Sequence, residues 1–133
     1  MRPERKTAGT SQDFGHDMPR FVVLTHDHPS LHWDFMLESA DRLRTWRLAG
    51  PPDAGSPIAA EPLPDHRLHY LDYEGPVGGN RGEVHRWDRG EYVHVKETPT
   101  RIEVRLTGAK LVGSAVLQRD DDTRRAVFQF NPD

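Results

Sequence analysis

Residues 26–38 of this chain read HDHPSLHWDFMLE and hold three histidines, two aspartates and a glutamate within thirteen positions. From Leu31 onward apolar and polar residues alternate, and a period of two predicts a β-strand with one apolar face. An apolar run, FVVL at residues 21–24, precedes this stretch. The turn-forming residues between them predict that the two segments pair as a β-hairpin. We therefore expect an antiparallel sheet to be built around this hairpin.

The polar face of the hairpin carries candidate metal ligands. His32 and Asp34 are two residues apart, so their side chains project from the same face about 7 Å apart. His26 ends the first strand, and the turn can bring it beside the other two. Two imidazoles and one carboxylate suit zinc, manganese or iron and leave coordination positions for water or substrate. The alternative interpretation is a solvated polar face that binds no metal.

The composition limits the classes of protein that this chain can represent. Its 133 residues suffice for one domain with a hydrophobic core. Because no long apolar run and no apolar leader are present, we expect neither a membrane span nor a secretory signal. The absence of cysteine excludes thiolate metal sites and favours a cytoplasmic protein. With a net charge of −3, any phosphate site must be local rather than a broad basic surface.

The rest of the chain predicts an all-β domain. Residues 1–20 are polar and are expected to form an N-terminal arm, followed by a single domain over residues 21–133. Repeated short apolar runs with turn signals predict a compact antiparallel β-barrel of about eight strands with long loops, and its interior or mouth is the expected place for the site. The expected strands span residues 21–26, 31–38, 42–48, 83–87, 92–96, 101–106, 110–118 and 124–130.

Three segments between these strands are predicted to be irregular. Residues 49–64 are rich in proline, which disfavours regular hydrogen bonding, so a long loop is expected. Residues 75–82, GPVGGNRG, lack the lysine of a P-loop and predict a wide hairpin connection. Residues 88–90, DRG, are expected to form a turn.

A second group of chemically active side chains lies in residues 65–74, DHRLHYLDYE. If this segment is a strand, His66 and Tyr70 face the same side. The alternative interpretation makes His66 a turn residue and Tyr70 a half-buried residue of the barrel.

Four segments together resemble the 3′-phosphoesterase domain of bacterial DNA ligase D: FVVLTHDHPSLHWDFMLE, DHRLHYLDYEG, WDRGEY and GAKLVG, in this order. The resemblance implies a compact β-barrel that uses a divalent metal, typically Mn²⁺, to trim 3′ ends before end joining. It implies metal ligands at His26, His32 and Asp34 and catalytic roles for His66 and Tyr70. Zn²⁺ or another divalent transition metal is the alternative cofactor. The implied partners are 3′ ends of DNA or a primer-template, with DNA ligase or end-joining proteins acting in trans and no membrane.

The chain departs from that family at residues that bind phosphate. The family has an arginine two residues after the metal-binding aspartate, and this chain has Met36 there. Two further basic residues of the family lack counterparts, and Arg47 and Arg81 are the candidate substitutes. Three functions are therefore considered: a 3′-phosphoesterase in DNA end repair, a non-catalytic module that binds DNA ends or a repair protein, and a metal-dependent hydrolase of a small phosphodiester.

Overall fold

The computed structural model describes residues 18–122 and 125–133, so most of the predicted N-terminal arm lies outside the described residues. A 3₁₀ turn, Leu68–Leu71, is the one helical element in these ranges, and no helix there is long and apolar enough to cross a membrane. The strands are β1 (Arg20–His26), β2 (His32–Ser39), β3 (Arg42–Leu48), β4 (Ile58–Arg67), β5 (Gly75–Pro76), β6 (Glu83–Thr98), β7 (Arg101–Gly108), β8 (Val112–Arg119) and β9 (Ala126–Pro132).

These strands form one antiparallel sheet that closes on itself. The order is β1-β2-β3-β4-β9-β8-β7-β6, and β6 pairs with β1, so that eight strands complete a ring. The short strand β5 adds to the other edge of β6. The prediction of an all-β fold with a closed antiparallel arrangement of about eight strands is confirmed.

The interior of the ring is the main hydrophobic core. Phe35 lies within it, and its ring centroid is 5.0 Å from that of Phe128 and 6.2 Å from that of Trp46. Apolar side chains fill this space, so of the two places predicted for the site, the interior and the mouth, the interior leaves no room for it. Every strand of the ring contributes buried residues to this core, among them Phe21, Phe35, Trp46, Ala60, Tyr92, Leu106, Leu117 and Phe128.

A smaller apolar cluster covers part of the outer face of the ring. On β1 and β2, Val22, Leu24 and Met36 alternate with the inward-facing residues and are nevertheless buried. The 3₁₀ turn that follows β4 covers them with Leu71 and with the partly buried ring of Tyr70. We call this group the outer cluster, and it comprises Val22, Leu24, Met36, Leu43, Leu71 and Val84, with Leu68, Tyr70, Tyr73 and Val77 packed against it.

Part of the proline-rich segment is a strand, contrary to the loop predicted over residues 49–64. β4 pairs with β3 along most of its length, for example Leu48 with Ala60 and Trp46 with Pro62. It pairs with β9 through residues 58–60 only. Beyond Ala60 its other side pairs with no strand among the described residues, and proline is tolerated at such an edge because no ladder partner requires its missing N–H.

β6 runs without interruption through residues 88–90, where a turn was predicted. Asp88 is buried, and its carboxylate accepts the backbone N–H groups of Ala109, Lys110 and Leu111 at 2.9, 3.0 and 2.8 Å. The segments WDRGEY and GAKLVG are thus two halves of one structural unit, because the carboxylate of the first closes the β7–β8 turn in the second. Gly90 is needed there, since a Cβ would lie 2.0 Å from the carbonyl oxygen of Thr107.

Candidate metal and phosphate site

The three predicted metal ligands meet on the outer face of the ring, at one end of the β1–β2 hairpin. His26, the last residue of β1, pairs directly with His32, the first residue of β2. His26 Nδ1 lies 3.7 Å from Asp34 Oδ2, and His32 Nε2 lies 3.3 Å from Asp34 Oδ1. One potential ligand atom from each residue lies within 4.8 Å of the other two. The structure therefore brings the three predicted residues together as a group that could hold one ion.

Both histidines of this set are oriented by backbone carbonyls. His26 Nε2–H donates to the carbonyl of Arg81 at 2.7 Å, and His32 Nδ1–H donates to the carbonyl of Ser30 at 2.9 Å. Because a carbonyl only accepts, each of these nitrogens carries a proton. In the neutral imidazole the other nitrogen then presents its lone pair toward Asp34. Carbonyl partners of this kind orient metal-binding histidines in many proteins.

Two buried atoms that face each other in the set lack hydrogen-bond partners. His32 and Asp34 are only 5% and 3% exposed. Within the described residues, neither His32 Nε2 nor Asp34 Oδ1 makes a hydrogen bond. A buried lone pair beside a carboxylate oxygen is unfavourable unless a proton or a metal cation lies between them. This donor set fits a divalent transition-metal ion, for which imidazole nitrogen and carboxylate oxygen are ordinary ligands.

The set opens into a cleft that contains all the other predicted site residues. His66, Tyr70, Arg47 and Arg81 come from different parts of the chain and line this one space. Its walls carry three arginines against two aspartates, although the whole chain has a net charge of −3. We call it the cationic cleft, and its polar lining consists of His26, His28, Asp34, Arg47, Asp65, His66, Arg67, Tyr70 and Arg81.

His66 and Tyr70 are neighbours, but not through the strand geometry considered for residues 65–74. β4 ends at Arg67, and the 3₁₀ turn that follows brings the two rings edge to face at 5.8 Å. His66 Nδ1–H donates to the carbonyl of Pro64 at 2.9 Å, which leaves Nε2 available to a ligand. Tyr70 is half-buried against the outer cluster and also lines the cleft.

The register of the sheet places Arg47 directly beside the metal-ligand set. Arg47 on β3 is the cross-strand partner of Asp34 on β2. Its buried Nε has no hydrogen-bond partner among the described residues. The ion pair that its guanidinium makes there is long, with 3.9 Å between Nη1 and Glu61 Oε1. Arg47 is therefore held near the cleft with most of its donors still available. In Arg81, by contrast, Nε donates to the carbonyl of Gly78 at 2.6 Å.

Three polar residues of the cleft were not predicted from the sequence: His28, Asp65 and Arg67. The Arg67 backbone pairs with Arg42 of β3, but its side chain makes no hydrogen bond or ion pair with the residues that the structure describes, so the guanidinium is available to a ligand in the cleft. The only sequence evidence for Arg67 as a site residue is its position directly after His66. This position indicates a place in the cleft only when the 3₁₀ turn that follows β4 is known. His28 lies on the β1–β2 turn next to the metal-ligand set.

Met36 lies outside the cleft. It is 1% exposed and packs in the outer cluster on which Tyr70 rests. A buried thioether at this position offers no hydrogen bond to a phosphate, so cations from other strands must supply any phosphate binding.

The glycine-rich loop of residues 75–82 connects β5 to β6, in agreement with the predicted hairpin connection. Asp27 fixes this loop, because its Oδ1 accepts the backbone N–H of Glu83 at 2.8 Å. This hydrogen bond lowers the pKa of the Asp27 carboxyl below its ordinary value. Gly82 has a φ of +79°, and a Cβ there would lie 2.1 Å from Asp27 Oδ1. The loop thereby holds the carbonyl of Arg81 against His26.

Residues 24–119 match the family model of the DNA Ligase D 3′-phosphoesterase domain. This chain belongs to that family. One relative is the multifunctional non-homologous end joining protein LigD of Pseudomonas aeruginosa, which is 33% identical over 104 residues. The match covers 71% of this chain but only 12% of that protein, so this chain spans a small part of the length of its relative.

Proposed function

We propose that this chain is a metal-dependent 3′-phosphoesterase that trims the 3′ ends of DNA or RNA strands during DNA end repair. Membership of the DNA ligase D 3′-phosphoesterase family supports a phosphoesterase role at DNA ends. The observation that carries the proposal is the His26, His32 and Asp34 set, whose unpaired buried donor atoms open into a cleft with three arginines.

The residues that would hold the metal are His26, His32 and Asp34, with Mn²⁺ as the proposed ion and Zn²⁺ as the alternative. Bound there, a divalent ion stabilises charge on a phosphoryl oxygen and lowers the pKa of a coordinated water. The protein contributes preorganisation, because both imidazoles are already fixed by the carbonyls of Ser30 and Arg81.

His66 and Tyr70 are the proposed catalytic residues. The Nδ1–H of His66 is held by Pro64, so Nε2 is the atom that can donate to a phosphate oxygen or protonate the leaving oxygen. The Tyr70 hydroxyl has no partner among the described residues and can donate a hydrogen bond to a phosphoryl oxygen.

Arginines on separate elements would bind the substrate phosphates. Arg47 stands across from Asp34, so it is placed to contact the same phosphoryl group as the metal-ligand set. Arg67 and Arg81 line the same cleft and suit a neighbouring phosphate of the strand. Guanidinium groups make paired hydrogen bonds to phosphate oxygens, which suits this role.

The test is cleavage of two primer-templates, one ending in a 3′-phosphate and one in a 3′-ribonucleotide, with and without Mn²⁺. His32→Ala is expected to reduce both the metal affinity measured by calorimetry and the cleavage rate at least a hundredfold. His94→Ala, an exposed histidine paired with Glu97 on β6, is the control and should behave as the wild type. Equal cleavage by the wild type and His32→Ala would contradict the proposal.

The position of Met36 favours a second candidate function, a non-catalytic module that binds DNA ends. Its side chain is buried and uncharged, so residue 36 supplies no cation to a substrate phosphate. The same assay separates the two functions. A binding module would retain Mn²⁺ and bind the primer end, but it would release no product from either substrate.

A further inference from the structure

A second cleft adjoins the cationic cleft on the other side of Arg47. Pro29 and Arg47 line both spaces. His32 of the metal-ligand set borders the second cleft, whereas His26 and Asp34 border the first. The metal-ligand set therefore stands at the boundary between the two clefts, and a ligand bound at this boundary can extend into both.

The second cleft is lined mainly by apolar side chains that are left open to solvent. Leu31, which precedes β2, is 58% exposed, and Val127 on β9 is 41% exposed. Ala59 on β4 is the cross-strand partner of Val127 and is exposed as well. We call this space the apolar cleft, and Leu31, Ala49, Ala59, Pro62 and Val127 form its apolar walls.

The apolar cleft has few charged residues, namely Arg47, Glu61 and Arg125. Glu61 lies within 3.9 Å of Arg47, so it partly balances the charge of the arginine that the two clefts share. Most of the other walls are apolar. The fitting ligand therefore has an anion in the cationic cleft and an uncharged, largely apolar group on the other side of Arg47.

We propose that the apolar cleft binds the nucleobase of the nucleoside whose 3′-oxygen carries the phosphate. This inference rests on the proposed function, which places that phosphate in the cationic cleft. A nucleotide joins an anion to a flat base with apolar faces, which is the combination that the two clefts offer. Arg47 stands between them, and a guanidinium plane can stack on a base while its N–H groups bind phosphate.

The binding experiment uses ¹⁵N-labelled wild-type protein without metal, titrated with three probes: deoxyadenosine 3′-monophosphate, deoxyribose 3-phosphate and inorganic phosphate. Only the nucleotide is expected to shift the amide signals of Leu31, Ala59 and Val127. Its affinity should exceed that of the sugar phosphate roughly tenfold, the contribution expected from burying one base. Equal affinities, or nucleotide shifts confined to the cationic cleft, overturn the proposal.

A double variant, Leu31→Ser with Val127→Ser, tests the walls of the cleft without adding charge. It should bind the nucleotide only as tightly as the sugar phosphate and bind inorganic phosphate as the wild type does. Val112→Ser is the matched control, because Val112 is 43% exposed and lies outside this cleft. Nucleotide affinity unchanged by the double variant, with a dispersed amide spectrum that shows a folded protein, overturns the proposal.

Turnover separates this inference from the proposed function. The substrates are two strands that end in a 3′-phosphate, with and without the terminal base. Removal of the base should lower kcat/KM of the wild type about tenfold and leave kcat/KM of the double variant unchanged. If no strand is cleaved but the nucleotide still occupies the apolar cleft, the phosphoesterase function fails while the base site stands. If strands with and without the base are cleaved equally, the base site fails and the phosphoesterase function stands.

Discussion

Met36 and Arg47 lie on neighbouring strands beside Asp34 and differ in whether they reach the cationic cleft. Met36 shares a strand face with Asp34 but packs in the outer cluster. Arg47 reaches the same neighbourhood from β3, because the register pairs it with Asp34. Under the proposed function, a cation on the adjacent strand therefore takes the phosphate-binding role that Met36 cannot fill.

Replacement of Arg47 by alanine is expected to lower kcat/KM for a 3′-phosphate end by about 10²-fold, because one transition-state donor is lost. Lysine should restore part of this loss, since it keeps the charge but not the paired hydrogen bonds. Mn²⁺ affinity, measured by calorimetry, should be unchanged in both variants. Arg44→Ala, on the same strand but paired with Glu97, is the control. Activity of Arg47→Ala within threefold of the wild type contradicts the proposed role.

At the scale of elements, the long strand β6 is held in place by contacts that are distant in sequence. Asp88 in its middle accepts three backbone N–H groups from the turn between β7 and β8. Further along, Glu97 contacts Arg44 of β3, a strand that is not its neighbour in the sheet. These two carboxylates contribute to stability in different ways, because only Asp88 is buried.

Asp88→Asn is expected to destabilise the domain by about 2–4 kcal/mol, because the amide cannot replace a buried carboxylate that accepts three N–H groups. The measurement is urea denaturation at neutral pH, followed by fluorescence. Asp41→Asn, in the exposed β2–β3 turn, should change the unfolding free energy by less than about 0.5 kcal/mol. A loss that small for Asp88→Asn as well would show that the turn does not depend on this carboxylate.

Glu97 makes the stability depend on acid pH. Hydrogen bonds from Arg44 lower the pKa of Glu97 in the folded protein below its ordinary value of 4.5. A lowered folded-state pKa stabilises the protein above the unfolded-state value, and this stabilisation disappears as the pH falls through the folded-state pKa. The unfolding free energies of Glu97→Gln and the wild type should differ at pH 7 and converge below pH 4.5. A difference that stays constant from pH 7 to pH 3 would contradict this assignment.

The sequence predicts features that depend on local periodicity and misses those that depend on pairing between distant segments. Alternation at residues 31–38 was sufficient to place His32 and Asp34 on one face. The strand that contains Pro62 was missed because proline is tolerated there only at a sheet edge that lacks a partner strand. A turn was predicted at residues 88–90 because the backbone N–H groups of residues 109–111, which hydrogen-bond to Asp88, are distant in the sequence. Arg67 was missed because the 3₁₀ turn redirects the chain after β4.

At the scale of the whole molecule, the cationic cleft has three arginines against two aspartates in a chain whose net charge is −3. Binding of a DNA end should therefore involve few phosphates. Each phosphate contact contributes about −0.7 to −0.9 to the slope of log K against log salt concentration. Fluorescence anisotropy with a 3′-phosphate duplex is expected to give a slope no steeper than about −3. A slope near −6 would indicate a second basic surface.

Metal binding should also stabilise the whole fold, because the unfolded chain does not assemble His26, His32 and Asp34. At a free Mn²⁺ concentration a hundred times the dissociation constant, the expected gain is about 2.7 kcal/mol. Thermal unfolding with Mn²⁺ and with a chelator measures it, and His32→Ala should lose the difference. An identical melting temperature in both conditions for the wild type would show that no metal binds the folded state.

The two histidines are oriented by main-chain carbonyls rather than by side chains. Every amino acid carries that acceptor, so residues 30 and 81 can be exchanged by mutation without removing it, provided that the loops keep their path. Gly82 and Asp27 preserve that path for residue 81. Arg81, which lines the cationic cleft, is therefore open to evolutionary replacement at little risk to the orientation of His26. Protein engineers could use the same freedom to change the charge of the cleft while His26 and His32 stay in place.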